Sequence, residues 1–208
     1  MQACFAPRKL LATCVALILA VSAGAGFARA QASAGEGARV EVQTVRFGQA
    51  RAPGGGDGWI EAVVELNVTP AVDGGVYSRW ADSVRVGLSI GIRTRAGEYA
   101  FYRAAAEAVA LEAGRASFRF YLPPEISRRE QLNSAEPYAW LVDLSVGGTP
   151  LAAGPRQVSA VLGTADALRS FKDRVTRSAT THDGILVPQF ESPFALAYAG
   201  DTPTFVRR

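Results

Sequence analysis

The chain is poor in the residues that most often carry chemistry. Its 208 residues include two cysteines, one histidine and one methionine. Both cysteines, Cys4 and Cys14, lie in the first thirty residues, and the only lysine after them is Lys172. A chain beginning at residue 31 therefore has no disulfide and no thiol, although an exported protein could have used them. With His182 as the only histidine, a zinc site built from histidine and cysteine is excluded. The alternating Asp and Asn of a calcium loop is missing. The glycine-rich stretch Pro53 to Gly58 is not followed by Gly-Lys-Ser/Thr, so it is a loop and not a phosphate cradle. No cofactor is expected.

Long apolar runs are also scarce. The one clear run is Leu10 to Val21, about a dozen residues, too short to span a membrane. Arg8 and Lys9 precede it, and Ala28-Arg29-Ala30 follows. Together they predict a secretory signal over residues 1–30, cleaved between Ala30 and Gln31. Cys14 sits inside the run and not after it, which does not fit a lipoprotein box. Cleavage takes 30 of 208 residues and leaves 178, enough for one self-supporting domain with extensions. It also takes Arg8, Lys9 and Arg29 and no acidic residue. The formal charge of +3 then becomes zero, with 19 basic and 19 acidic residues, and the charge argument for nucleic acid disappears. The expected location is the periplasm, outer envelope or extracellular space.

What remains is rich in two-residue alternation. Val84, Val86, Leu88, Ile90 and Ile92 form one face of a strand, with Arg85, Gly87, Ser89, Gly91 and Arg93 on the other. Ala116, Phe118, Phe120 and Leu122 alternate in the same way. So do Ile60, Ala62, Val64, Leu66 and Val68, and later Trp140, Val142, Leu144 and Val146. Between Ala38 and Phe47 the phase changes, from Val40 and Val42 to Val45 and Phe47, which predicts a bulge or a change of sheet. Residues 99–111 are alanine-rich and helix-prone. The turn Glu112-Ala113-Gly114 nevertheless assigns them to a strand leading by a hairpin into Arg115. Leu151 to Val161 adds one or two short strands broken at Gly154-Pro155.

About seven short strands predict an all-β fold, an immunoglobulin-like antiparallel β-sandwich over residues 38–163, after a flexible leader at 31–37. A C-terminal helix follows at 164–179, capped by Thr164 and with Leu168, Phe171 and Val175 on one face. Residues 180–208 are too proline-rich for a helix and too apolar for a disordered tail. They are expected to form an extended arm that docks on a protein partner or a second copy. The docking residues are Ile185, Leu186, Val187, Phe190, Phe194, Leu196, Tyr198 and Phe205.

Other patterns carry less. Gly87-Leu88-Ser89-Ile90-Gly91 matches a nucleophile elbow, and Asp166 or Asp173 and then His182 follow in hydrolase order. The elbow needs a strand-to-helix turn, whereas this stretch continues as a strand. Small residues on its outer face instead predict a close approach by another element. His182, beside Asp183-Gly184, is expected in a solvated turn. Glu61 and Glu65 stand about 13 Å apart along a strand, too far for a glycosidase pair. Asn67-Val68-Thr69 is read as a chance match to a glycosylation acceptor. Arg85, Arg93 and Arg119 would form a basic stripe if their strands were neighbours. Exposed Trp59, Trp80 or Tyr121 would make a carbohydrate-binding module the alternative reading.

The order of segments carries a resemblance. Trp-Ile-Glu-Ala-Val-Val-Glu-Leu at 59–66 precedes the Val84 to Ile92 strand. Tyr99-Ala100-Phe101-Tyr102-Arg103 leads to Phe118-Arg119-Phe120-Tyr121-Leu122-Pro123-Pro124, and Gly184-Ile185-Leu186-Val187-Pro188-Gln189 comes last. In this order and texture the whole mature chain resembles small secreted immunoglobulin-like proteins associated with type IV pilus gene clusters in the verrucomicrobial lineage. The resemblance implies a non-enzymatic, pilus-associated envelope component capable of self-assembly. It transfers no functional residue.

Overall fold

The computed structural model describes residues 38–73, 76–132, 135–198 and 200–206. The expected signal sequence, its cleavage site and the expected leader fall outside these residues. The fold is mostly β, two antiparallel sheets packed as a sandwich with two helices. The long strands are β1 (Arg39–Arg51), β2 (Gly58–Thr69), β5 (Trp80–Arg93), β6 (Tyr99–Glu112), β7 (Gly114–Leu122) and β8 (Ala139–Val146). Short strands β3 (Ala71–Asp73) and β4 (Val76–Ser78) pair with each other, and β9 (Thr149–Pro150) and β10 (Val187–Pro188) complete the set.

The first sheet runs β1-β2-β7-β10 and the second β6-β5-β8-β9. Chain order across the sheets is that of an immunoglobulin-like sandwich in which the fourth long strand, β6, joins the second sheet in the C′ position. The turn at Glu112 to Gly114 is therefore not a hairpin. It is a corner: β6 and β7 diverge into different sheets, Gly114 takes φ +126°, and Ala113 N–H donates to the Arg79 carbonyl at 2.6 Å.

The expected alternation becomes the core. Val64, Leu66 and Phe118 from one sheet meet Val84, Val86, Leu88 and Val142 from the other, all fully buried. The phase change in β1 is a bulge at Gln43, where Val42 faces Leu66 but Thr44 faces Glu65. The extra residue returns Val45 and Phe47 to the face of Val40 and Val42, so all four pack on one core. The alanine-rich segment is strand, β6, paired with β5 from Tyr99↔Arg93 to Glu112↔Trp80. Tertiary pairing overrides helix propensity here, and alanine at 104, 106 and 108 keeps that edge of the core low.

The one or two short strands expected over Leu151 to Val161 do not form, because β9 lies earlier, at Thr149–Pro150, and the stretch after Gly154-Pro155 makes 3₁₀ turns at 155–157 and 160–162. After β9, residues 155–157 form a 3₁₀ turn, and Val158 rejoins the edge of β8 opposite Leu141. At the break, the buried Gln157 side chain donates to the Val142 carbonyl at 3.3 Å and accepts from Gly154 N–H, replacing ladder bonds the backbone cannot make. Helix α1 (Pro124–Glu130) carries the chain from β7 towards β8, with proline at its first position. Helix α2 (Ala165–His182) starts where expected, with Thr164 Oγ1 accepting from Ala167 N–H, but runs three residues beyond 179.

Candidate functional site

The C-terminal segment is laced onto the sandwich along the open side between β6 and β7, which corrects the expectation of an extended arm. Leu186 and Phe194 are buried, and Ile185, Phe190 and Phe205 pack against the main core. Phe205 meets Phe118 edge-on at 5.5 Å and Phe190 at 5.1 Å. Val187 pairs with Tyr121 in β10. Of the eight predicted docking residues, Leu196 alone is fully outside, at 93 % exposure, and Tyr198 is half-exposed. The expectation assumed a segment with no core of its own. The physical reason it stays at home is that the alanines of β6 leave room in the shared core, and the tail aromatics fill it.

The segment touches both sheets. β10 extends the first sheet beside β7. Further on, Val109 N–H donates to the Thr204 carbonyl at 2.9 Å and Val206 N–H to the Glu107 carbonyl at 2.8 Å, adding to the edge of β6. Between these seams the chain crosses the outer face of the first sheet. There Phe194 stacks on Tyr121, and Trp59 meets Phe194 edge-on at 5.9 Å.

Gln189 organises that crossing. It is 1 % exposed. Its Nε2 donates to the carbonyls of Ala197 (2.6 Å) and Phe194 (3.3 Å) and lies 3.0 Å from Thr202 Oγ1. Ser192 Oγ donates to the Gln189 carbonyl and accepts from Phe194 N–H. Sequence reasoning missed Gln189, Ser192 and Thr202, because their roles appear only once the turns close around them.

Beneath the tail lies a charged group. The Tyr121 hydroxyl donates to Glu61 Oε1 at 2.7 Å, Arg119 Nε stands 3.7 Å from the same oxygen, and the Arg119 guanidinium lies 4.2 Å from the Tyr198 ring centre. Burial holds the Tyr121 phenol far above its ordinary pKa, and the Glu61 acceptor pushes in the same direction. Tyr102 is raised too, again chiefly by burial.

The outer face of the second sheet is covered by α2. Phe171 and Val175, from the expected stripe, join Phe101, Ala139, Leu141 and Leu162 in a second apolar cluster, with Leu168 against it. Gly91 makes this possible, since a Cβ there would stand 3.1 Å from the Phe101 ring and 3.3 Å from Phe171. The close approach expected of this face is thus made by the chain's own helix.

The same geometry takes apart the hydrolase pattern. Ser89 lies mid-strand, between Arg103 on β6 and Leu141 on β8, with no elbow. His182 is not in a solvated turn. It ends α2, its Nδ1 3.0 Å from the Phe101 carbonyl and its ring stacked on Tyr102 at 4.8 Å. Asp166 pairs with Arg169 on the exposed start of α2. Of the three aromatics proposed for sugar binding, Tyr121 is fully buried and Trp59 faces Phe194, while Trp80 is 51 % exposed. Arg119 belongs to the first sheet and Arg85 and Arg93 to the second, so the basic stripe does not form. Among the described residues no three His, Cys, Asp or Glu side chains gather to hold a metal, and no helix is long and apolar enough to cross a membrane.

No family model matches the chain, and no curated protein does. A crystal structure of a protein from Akkermansia muciniphila, a verrucomicrobium, does match, with a TM-score of 0.57 at 13 % identity. The match covers 82 % of this chain and 94 % of that one. The likeness is one of fold, and at this identity carries nothing about residues.

Proposed function

We propose that the protein is an exported, non-enzymatic sandwich that works by protein–protein contact in the cell envelope, as a type IV pilus-associated component. The observation that carries this reading is an exposed apolar edge. Trp80 on β5 and Val109 on β6 are both about half exposed at the end of the second sheet where residues 204–206 are laid down. Tryptophan is enriched among the residues that dominate binding energy at interfaces. The segment-order resemblance to pilus-cluster proteins supports this compartment and partner class, and the fold shared with a verrucomicrobial protein agrees with that lineage. The basic residues, apolar run and Ala-x-Ala of residues 1–30 supply the export route.

The test is capture from envelope extract of the producing organism on immobilised protein, with bound chains identified by mass spectrometry. Retention of pilus subunits by the natural protein, reduced at least tenfold by Trp80→Ala, supports the reading. Equal retention by the variant, or no pilus subunit retained, overturns it. N-terminal sequencing of the protein recovered from the envelope is expected to begin at Gln31.

A further inference from the structure

We propose that the C-terminal segment, residues 183–206, is an exchangeable strand, and that the partner fitting its seat between β6 and β7 is the same segment of a second copy. This deepens the assembly reading above by naming a partner and a mechanism.

The seat is built for an extended apolar chain. The alanines at 104, 106 and 108 on β6 face a core whose other wall includes Phe118 and Phe120 on β7, and Phe190 and Phe205 occupy the space between. The segment is held at both sheet edges by main-chain pairing, Val187↔Tyr121 and Pro188↔Phe120 on one side and Phe205↔Ala108 on the other. Strand addition of this kind draws its affinity from backbone bonds and its register from pockets for alternate side chains. Both are identical whether the strand comes from the same chain or from another.

The connection can redirect the segment while α2 stays where it is. Helix α2 is anchored to the second sheet by Phe171 and Val175, and its last residue, His182, by the Phe101 carbonyl. Next come Asp183 and Gly184, with Gly184 at φ +75°. Asp183 pairs with Arg103 at 3.8 Å, between largely exposed side chains, a contact that contributes little. A change of backbone angles at 183–184 therefore releases the segment as a unit. Exchange between two copies restores every buried contact and closes as a two-fold pair, the low-cost route to a dimer.

The test uses a surface pair. Val109 and Thr204 are exposed and directly opposite across the β6 edge, within disulfide reach for facing strand residues. In the chain from Gln31 no other thiol competes. Val109→Cys and Thr204→Cys single variants are mixed, held at the foot of the urea transition, returned to buffer and oxidised. The expected result is a disulfide-linked heterodimer at least ten times more abundant than the dimers either variant forms alone. The double variant, oxidised first, is expected to stay monomeric and to block exchange.

No heterodimer above that background, with the double variant cross-linking within one chain, overturns exchange. Failure of the double variant to cross-link internally overturns it too, because the seat in cis is its premise. Capture of a pilus subunit through Trp80 by the natural protein, with no heterodimer formed in the exchange experiment, would leave the functional reading standing while exchange fails, so the two are separable.

Discussion

Phe194 lies flat on Tyr121, the ring centres 4.1 Å apart and the planes 6° from parallel. The ring that an exposed strand face would have offered to a ligand is thus roofed by the chain's own C-terminal segment. Phe194→Ala should cost about 3 kcal/mol, the lower end of the range for a buried phenylalanine, because water can enter from the sheet surface. Urea denaturation measures it. A loss below about 1 kcal/mol would show that the stack does not hold the segment down.

Tyr121 also makes a pH prediction. Burial first, and Glu61 second, favour the neutral phenol in the folded protein. The unfolded chain loses this proton near pH 10, and the folded protein holds it to higher pH. The stabilisation is therefore complete below pH 10 and is lost as pH rises beyond it. Tyr121→Phe should cost about 1 kcal/mol at pH 7, from the lost bond to Glu61, with the gap to the natural protein narrowing from pH 10 to 11. Urea midpoints across that range are the check. Tyr102, shifted the same way, leaves the variant a residual alkaline slope.

Two glycines of β5 should answer oppositely. A Cβ on Gly87 meets Asp143 at an ordinary 3.7 Å, whereas on Gly91 it presses on Phe101 and Phe171. Gly87→Ala should be neutral or stabilising by about 0.5 kcal/mol, as glycine weakens a strand interior. Gly91→Val should cost about 1–3 kcal/mol by overpacking and loosen α2, seen as faster amide exchange between residues 168 and 178. Equal effects at both sites would refute the close approach of the helix.

Gln189→Ala removes the donor to two carbonyls and one hydroxyl. The Phe194 carbonyl keeps Ala197 N–H, and the Ala197 carbonyl left without its donor makes the expected cost about 1–2 kcal/mol. The loss should be local, with limited proteolysis cutting between residues 190 and 206 while β1 to β8 remain intact. A variant no more cleavable than the natural protein would show that the turns stand without Gln189.

The sandwich was legible because its strands are half-buried. Val84 to Ile92 or Ile60 to Val68 announce their inner face residue by residue. The start of α2 was legible from Thr164, and the helix-covered face from Gly91. The tail was not. Its apolar residues were visible as a set, but their destination depends on the alanines of β6, distant in sequence and ambiguous by propensity. Tyr121 looked like an outward residue by alternation, and it is outward, but alternation knows only one sheet and not what lies across it. Gln189 and His182 were unreadable for the same reason, since their partners are carbonyls brought near by the fold.

The lacing of residues 204–206 onto β6 bears on how the protein is made. A ribosome delivers the chain N-terminus first, so every strand of the sandwich emerges before the residues that close its side. Until Phe205 and Val206 arrive, the trough beside β6 stays open and Phe118 lacks its edge-on neighbour. A chain lacking residues 204–206 would carry a nearly whole sandwich with a wet, greasy flank, the kind of flaw that quality-control proteases and chaperones detect.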